Sequence, residues 1–149
     1  MKKVASVEAM RQFGRTLASS LRAGDLLVLE GPLGAGKTAL TQGIGLGLGI
    51  DDVTSPTFVI ARTHQGRIPL IHVDAYRLLG SESTNFEFDD LDLETQREKS
   101  ITVVEWGGDV ASRLSDEYLQ IIIGFGDGEE ERSLQVIGHG PRWQDFRYE

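Results

Sequence analysis

Eight consecutive residues, Gly31-Pro32-Leu33-Gly34-Ala35-Gly36-Lys37-Thr38, combine two fixed glycines with a lysine and a hydroxyl in the spacing G-x-x-x-x-G-K-[ST]. A short loop of this composition turns successive backbone N–H groups inward around phosphate oxygens, and glycine permits both the dihedrals and the close approach. The residues from Lys37 onward read as a helix, which adds its N-terminal amides and the positive end of its dipole. Lys37 then meets the β and γ phosphates as a point charge, and the Thr38 hydroxyl is placed to ligand Mg2+. The chemistry expected is binding of a nucleoside triphosphate with Mg2+. Gly31, Pro32, Leu33, Gly34, Ala35, Gly36, Lys37 and Thr38 are the expected nucleotide-binding residues.

Such a loop needs a carboxylate from the end of a neighbouring strand to hold the metal. Two segments offer one: Leu70-Ile71-His72-Val73-Asp74 ends in Asp, and Ile101-Thr102-Val103-Val104-Glu105 ends in Glu. Glu105 could ligand Mg2+ or polarise a water; Asp74 could support the ion, Thr38 or a nearby loop. Spacing alone leaves the choice open. Lys37, Asp74 and Glu105 are the catalytic candidates, and Thr38, Asp74 and Glu105 the metal candidates. Thr54-Ser55-Pro56-Thr57 stands where a switch could sense the γ phosphate, with Pro56 presetting a turn, and Thr57 joins the nucleotide-binding candidates. His72 alternates with apolar neighbours and reads as a satisfied internal histidine, His64 as a solvent-facing turn residue. The three histidines show no zinc spacing. Trp106 covers the rim of the site, holds the Glu105 rotamer, or serves as core packing.

The elements that must position these groups follow from periodicity. Val7, Met10, Phe13, Leu17 and Leu21 recur at helical intervals behind Ser6, an N-cap type, and Gly24 closes that helix. Leu26 to Leu29 form a continuous apolar run, suited to a strand covered on both faces. The helix from Lys37 to about Leu48 carries Gly43, Gly45 and Gly47, which weaken its propensity and would permit close packing on a sheet. Segments 57–63 and 68–73 read as a hairpin, 101–104 as a buried strand, 109–114 as a helix, and 118–125 and 133–137 as strands around an acidic turn. Pro141, Trp143 and Phe146 suggest a terminal segment that folds back. The acidic stretch 80–99 reads as a solvated face, and Lys2 and Lys3 as a solvated terminus.

The chain has 149 residues, 15 Lys plus Arg against 23 Asp plus Glu, a net charge of -8 and no cysteine. The length suits one domain, 1–149, with its own core. The absence of cysteine excludes a disulfide scaffold, thiolate metal sites and thiol catalysis. The acidic balance speaks against nucleic acid held by the whole surface field, and Arg132, Arg142 and Arg147 are too scattered to claim a binding surface. No apolar run has membrane-spanning length and no secretory h-region opens the chain, so a soluble cytoplasmic protein is the expectation.

Taken together, the loop Gly31 to Thr38, Ser55-Pro56-Thr57-Phe58, His72-Val73-Asp74-Ala75-Tyr76-Arg77-Leu78 and Glu105-Trp106 resemble, in order and spacing, the TsaE (YjeE) family, a small bacterial P-loop ATPase family. The likeness covers roughly Leu17 through Trp106. It implies an α/β, single-domain P-loop NTPase fold with a central mixed β-sheet flanked by helices, and hydrolysis of ATP with Mg2+. It further implies a Walker B role for Asp74, a second acidic position near the metal at Glu105, and a switch at Ser55 to Thr57. The family's setting implies association with TsaB and TsaD and support for the t6A modification of adenosine 37 in tRNA, with any direct tRNA contact left open. Two departures are visible: Gly107-Gly108 follows Glu105-Trp106 where the family has Pro, and the acidic stretch 80–99 lacks the family's Leu-Gly and Glu-Tyr flavour.

The expected mechanism is in-line attack of water on the γ phosphate, with the loop amides, Lys37 and Mg2+ stabilising the equatorial oxygens. No internal arginine finger is evident, so the isolated protein should be slow until a partner completes the site. Two other functions use the same loop: a small-molecule kinase, and a nucleotide-gated protein-binding module with negligible hydrolysis.

Overall fold

The computed structural model describes residues 2–32, 34–51, 53, 61–74, 98–105 and 117–144. Their elements run β1 (Lys2–Val4), α1 (Val7–Ala18), β2 (Leu26–Glu30), α2 (Lys37–Gly47), β3 (Ala61–His64), β4 (Leu70–Asp74), β5 (Ile101–Glu105), β6 (Tyr118–Phe125), β7 (Arg132–His139) and a short 3-10 turn at Pro141–Trp143. The strands form one mixed sheet in the order β1-β7-β6-β2-β5-β4-β3. Strand β2 is central and runs parallel to β5 and β6, and β4 runs parallel to β5. The C-terminal ends of these four strands therefore share one edge of the sheet. The flanking pairs β3–β4, β6–β7 and β1–β7 are antiparallel.

Local sequence accounts for these elements. Ser6 caps α1 by accepting a hydrogen bond at its Oγ from the Ala9 N–H at 3.1 Å. Met10, Phe13 and Leu17 point into the core, whereas Val7, part of the same apolar stripe, is left exposed. Leu26, Leu27, Val28 and Leu29 are all fully buried, as a central strand covered on both faces requires. Leu27 and Leu29 join the core made with α1 and α2, together with Ile101, Val103, Leu119, Ile121 and Ile123. Strand β6 alternates buried and half-buried positions along its length.

Helix α2 differs from expectation in what its glycines face. A Cβ at Gly43 would lie 2.1 Å from the Arg11 carbonyl oxygen, and one at Gly14 would lie 2.5 Å from the Leu40 carbonyl oxygen. The missing side chains thus let α1 and α2 approach backbone to backbone; the close packing is between helices and not on the sheet. Gly45 instead faces Val53.

Two further readings are corrected. Lys2 to Val4 is an edge strand paired with β7, with Val4 buried, and not a solvated terminus. Three residues with a single apolar side chain carry too short a pattern to announce a strand. His64 is buried at the end of β3 and does not face solvent, because the strand runs one residue beyond the apolar segment. The expected strand at 133–137 extends over Arg132–His139. Trp143 does fold back, 3 % exposed, and Arg142 ties the turn to the start of β2 through Asp25, its Nε 3.0 Å from Oδ1. The helix expected at 109–114, the acidic stretch up to residue 97, residues 57–60 of the first hairpin segment and Phe146 lie outside the described residues.

Candidate functional site

The glycine-rich loop leaves the C-terminal end of β2 and enters α2, whose N-cap is Gly36. Gly36 has φ 115° and Gly34 φ 81°, values that side-chain-bearing residues rarely adopt. At Gly31 space is the constraint: a Cβ would stand 2.5 Å from the Ile123 carbonyl oxygen of β6. The Ala35 N–H donates to the Pro32 carbonyl at 3.1 Å and closes the loop into a turn. The first helical bond runs from the Leu40 N–H to the Gly36 carbonyl at 2.9 Å. The first amides of a helix precede its first intrahelical bond, the arrangement that makes a helix N-terminus an anion site.

Lys37 is 6 % exposed, and its ammonium is held inside the loop, donating to the Gly31 carbonyl at 2.7 Å and the Pro32 carbonyl at 3.0 Å. A lysine this buried is carried at low cost only when its charge meets oxygen acceptors. Thr38 sits half-buried one residue further on. Met10 of α1 supports the loop from below, its Cε 3.2 Å from where a Gly36 Cβ would be.

The carboxylates come from the next strands. The parallel register places Asp74 opposite Glu105, and Glu105 opposite Leu29, one residue before the end of β2. The two candidates therefore occupy adjacent positions on the sheet edge from which the loop rises. The backbone alone is described for Asp74. Glu105 is 6 % exposed. Its Oε1 lies 3.2 Å from Nε2 of the fully buried His72, but that approach lacks hydrogen-bond geometry, and among the described residues neither atom has a hydrogen-bond partner. His72 is internal, as expected, but not satisfied in the way expected.

A buried carboxylate oxygen without a donor calls for an explanation. A hard cation or an ordered water at the loop mouth supplies one, so the donor set fits Mg2+. Among the described residues no group of three or more His, Asp or Glu forms a metal cage. Mg2+ at phosphate sites usually relies on one or two carboxylates and takes further oxygens from the phosphates themselves.

Leu33, Ser55, Pro56, Thr57, Phe58 and Trp106 lie outside the described residues. Sequence reasoning missed two supports. Glu30, the residue before the loop, accepts at Oε2 from Gln120 Nε2 at 2.8 Å, and Gln120 Oε1 lies 2.8 Å from His139 Nε2. Arg132 donates from Nε to the Ala35 carbonyl at 3.1 Å. The Glu30–Gln120 and Ala35–Arg132 contacts join residues 90 and 97 positions apart and leave no local signal. Arg142, weighed above as loose positive charge, is committed to Asp25 and the Ser20 carbonyl, so neither it nor Arg132 is idle surface charge. No helix among the described residues is long and apolar enough to cross a membrane.

Comparison with known proteins agrees with this geometry. The family model described as threonylcarbamoyl adenosine biosynthesis protein TsaE matches residues 4–134. A Streptomyces coelicolor protein named tRNA threonylcarbamoyladenosine biosynthesis protein TsaE is 50% identical over 141 residues, covering 90% of this chain and 93% of its own. Its Mycobacterium tuberculosis namesake is 47% identical over 122 residues, covering 77% of this chain and 73% of its own. The crystal structure of Bacillus subtilis YdiB superposes with a TM-score of 0.75 at 31% identity, over 96% of this chain and 87% of that one.

Proposed function

The chain belongs to the TsaE family of threonylcarbamoyl adenosine biosynthesis proteins and is an ATPase; on that premise we propose that it hydrolyses ATP with Mg2+ at the Gly31–Thr38 loop, in support of t6A formation in tRNA by a TsaB–TsaD complex. The observation that carries the reading is the buried Lys37 ammonium enclosed by loop carbonyls, beside a strand-terminal Glu105 carboxylate.

In this proposal the loop amides and the α2 N-terminus take the β and γ phosphate oxygens, and Lys37 turns part of its donor capacity from the Gly31 and Pro32 carbonyls to the phosphates. Thr38, Asp74 and Glu105 would hold Mg2+, which would supply neutralisation of the phosphate charge. Glu105 orients the attacking water. The bond between the γ phosphorus and its bridging oxygen breaks as the water oxygen attaches; ADP leaves with the bond's electron pair on its terminal phosphate, and the water's protons stay on the released phosphate, which exchanges them with solvent. Thr57 and its neighbours Ser55 and Pro56 sense the γ phosphate. Direct tRNA contact is not part of the proposal, since Arg132 and Arg142 are engaged inside the fold.

Steady-state phosphate release, measured alone and with TsaB–TsaD, tests the reading. Slow release alone and faster release with the partners is the expected result. Equal rates at saturating partner would remove the coupling, and no nucleotide binding at millimolar ATP would remove the site. Release in 18O-water adds one solvent oxygen to the phosphate if water is the acceptor, and none if a second substrate takes the phosphoryl group.

A further inference from the structure

Strand β7 begins at Arg132, directly opposite Phe125 at the end of β6 in the antiparallel register. The turn between them is closed by the Gly126 N–H donating to the Glu131 carbonyl at 2.8 Å and by the Asp127 N–H donating to Glu131 Oε1 at 3.2 Å. Within it the Arg132 guanidinium is fixed on three sides. One terminal nitrogen donates to the Glu129 and Glu131 carbonyls, at 3.0 and 2.9 Å. The plane lies over the exposed Phe125 ring, 4.9 Å from its centroid. Nε, the remaining described donor, reaches across to the Ala35 carbonyl at 3.1 Å.

That last bond falls on one specific peptide unit. A trans peptide is planar, and its C=O and N–H point in opposite directions. Holding the Ala35 carbonyl toward β7 therefore aims the N–H of Gly36 the other way, away from the hairpin. Gly36 is the N-cap of α2 and the residue with φ 115°, so nothing in its own side chain restrains that plane. Its freedom, which the loop needs, leaves orientation to an outside partner.

We propose that Arg132 is a positioning residue for the phosphate loop: through the Ala35 carbonyl it locks the Gly36 amide in the orientation that receives a phosphate oxygen. The proposal rests on the reading of Gly31–Thr38 as the nucleotide site. It assigns Arg132 to the loop backbone and not to the nucleotide's charge. The planar fork matters more than the positive charge, because only a guanidinium can grip the hairpin carbonyls and the Ala35 carbonyl together.

Titration calorimetry with Mg-ADP on wild type, Arg132→Met and Arg132→Lys, beside the Gly36 amide resonance in 15N–1H spectra of the nucleotide-free proteins, tests this. Both variants should bind about tenfold more weakly, the loss expected for one hydrogen bond made by a charged donor. Both should shift the Gly36 amide while the thermal midpoint stays near that of wild type. Wild-type affinity in Arg132→Lys would overturn the proposal, since charge alone would then suffice, as would wild-type affinity in both variants. An unmoved Gly36 resonance, or variants unfolded at 25 °C, would also overturn it, the latter because the residue would be holding the fold. Absence of Mg-ADP binding by the wild type would remove the underlying site, a failure distinct from the others.

Discussion

The two halves of the site are built in opposite ways. At the loop, the buried Lys37 cation has its acceptors in place at 2.7 and 3.0 Å. One strand away, the buried Glu105 carboxylate approaches His72 at 3.2 Å without a hydrogen bond. The loop is thus organised by its own backbone, whereas on the carboxylate side one buried oxygen, Glu105 Oε1, has no hydrogen-bond donor among the described residues. Under the proposed function the phosphate cradle is ready beforehand and the metal side is completed on binding.

The largest expected effect comes from emptying the organised half. Lys37→Ala removes a charge-assisted donor to the phosphates and should weaken Mg-ATP binding by at least about 100-fold in titration calorimetry, roughly two such bonds' worth. Retained affinity would mean that the loop amides alone hold the nucleotide. Glu105→Gln keeps the shape but not the charge. It should lower kcat about 100-fold in phosphate-release assays and weaken Mg-ATP binding by a smaller factor, about tenfold, as the loss of one metal ligand and one transition-state contact does. An affinity loss equal to the rate loss would place Glu105 on the ground-state nucleotide.

Stability sharpens the contrast. Gly43→Ala puts a Cβ 2.1 Å from the Arg11 carbonyl and forces α1 from α2, at a cost of about 2–3 kcal/mol in urea unfolding. In the nucleotide-free protein, Glu105→Gln should change stability by less than about 1 kcal/mol in urea unfolding, because Oε1 makes no hydrogen bond to the His72 Nε2 3.2 Å away. A larger drop would show that the carboxylate already has a stabilising partner. Ser6→Ala removes the α1 cap, whose bond is to the Ala9 N–H, and should cost about 1 kcal/mol without altering nucleotide affinity.

How much of this was legible in the sequence follows the same division. The loop's place between a strand and a helix, the β2 apolar run and the Ser6 cap are local patterns that the structure bears out, and so is α1, except that Val7 of its stripe is exposed and Leu21 lies beyond its end at Ala18. Asp74 and Glu105 could be named as strand-terminal acids, but their side-by-side register depends on how β4 and β5 pair, which spacing does not encode. The same reason hid the partner of Gly43: a glycine announces that something comes close and does not say whether it is a helix or a sheet. Gln120 went unnamed and Arg132 read only as scattered charge because their contacts to Glu30 and Ala35 span most of the chain. His64 was misplaced because one extra residue of strand carried it from turn to interior.

A crystal structure with Mg2+ and a non-hydrolysable ATP analogue tests the central claim most directly. The account predicts β and γ phosphate oxygens within hydrogen-bond distance of the Gly34 to Thr38 amides and Lys37 Nζ, with the metal between Thr38 and the Asp74–Glu105 edge. A nucleotide seated elsewhere, or a Lys37 ammonium that makes no contact with the phosphates, would contradict it.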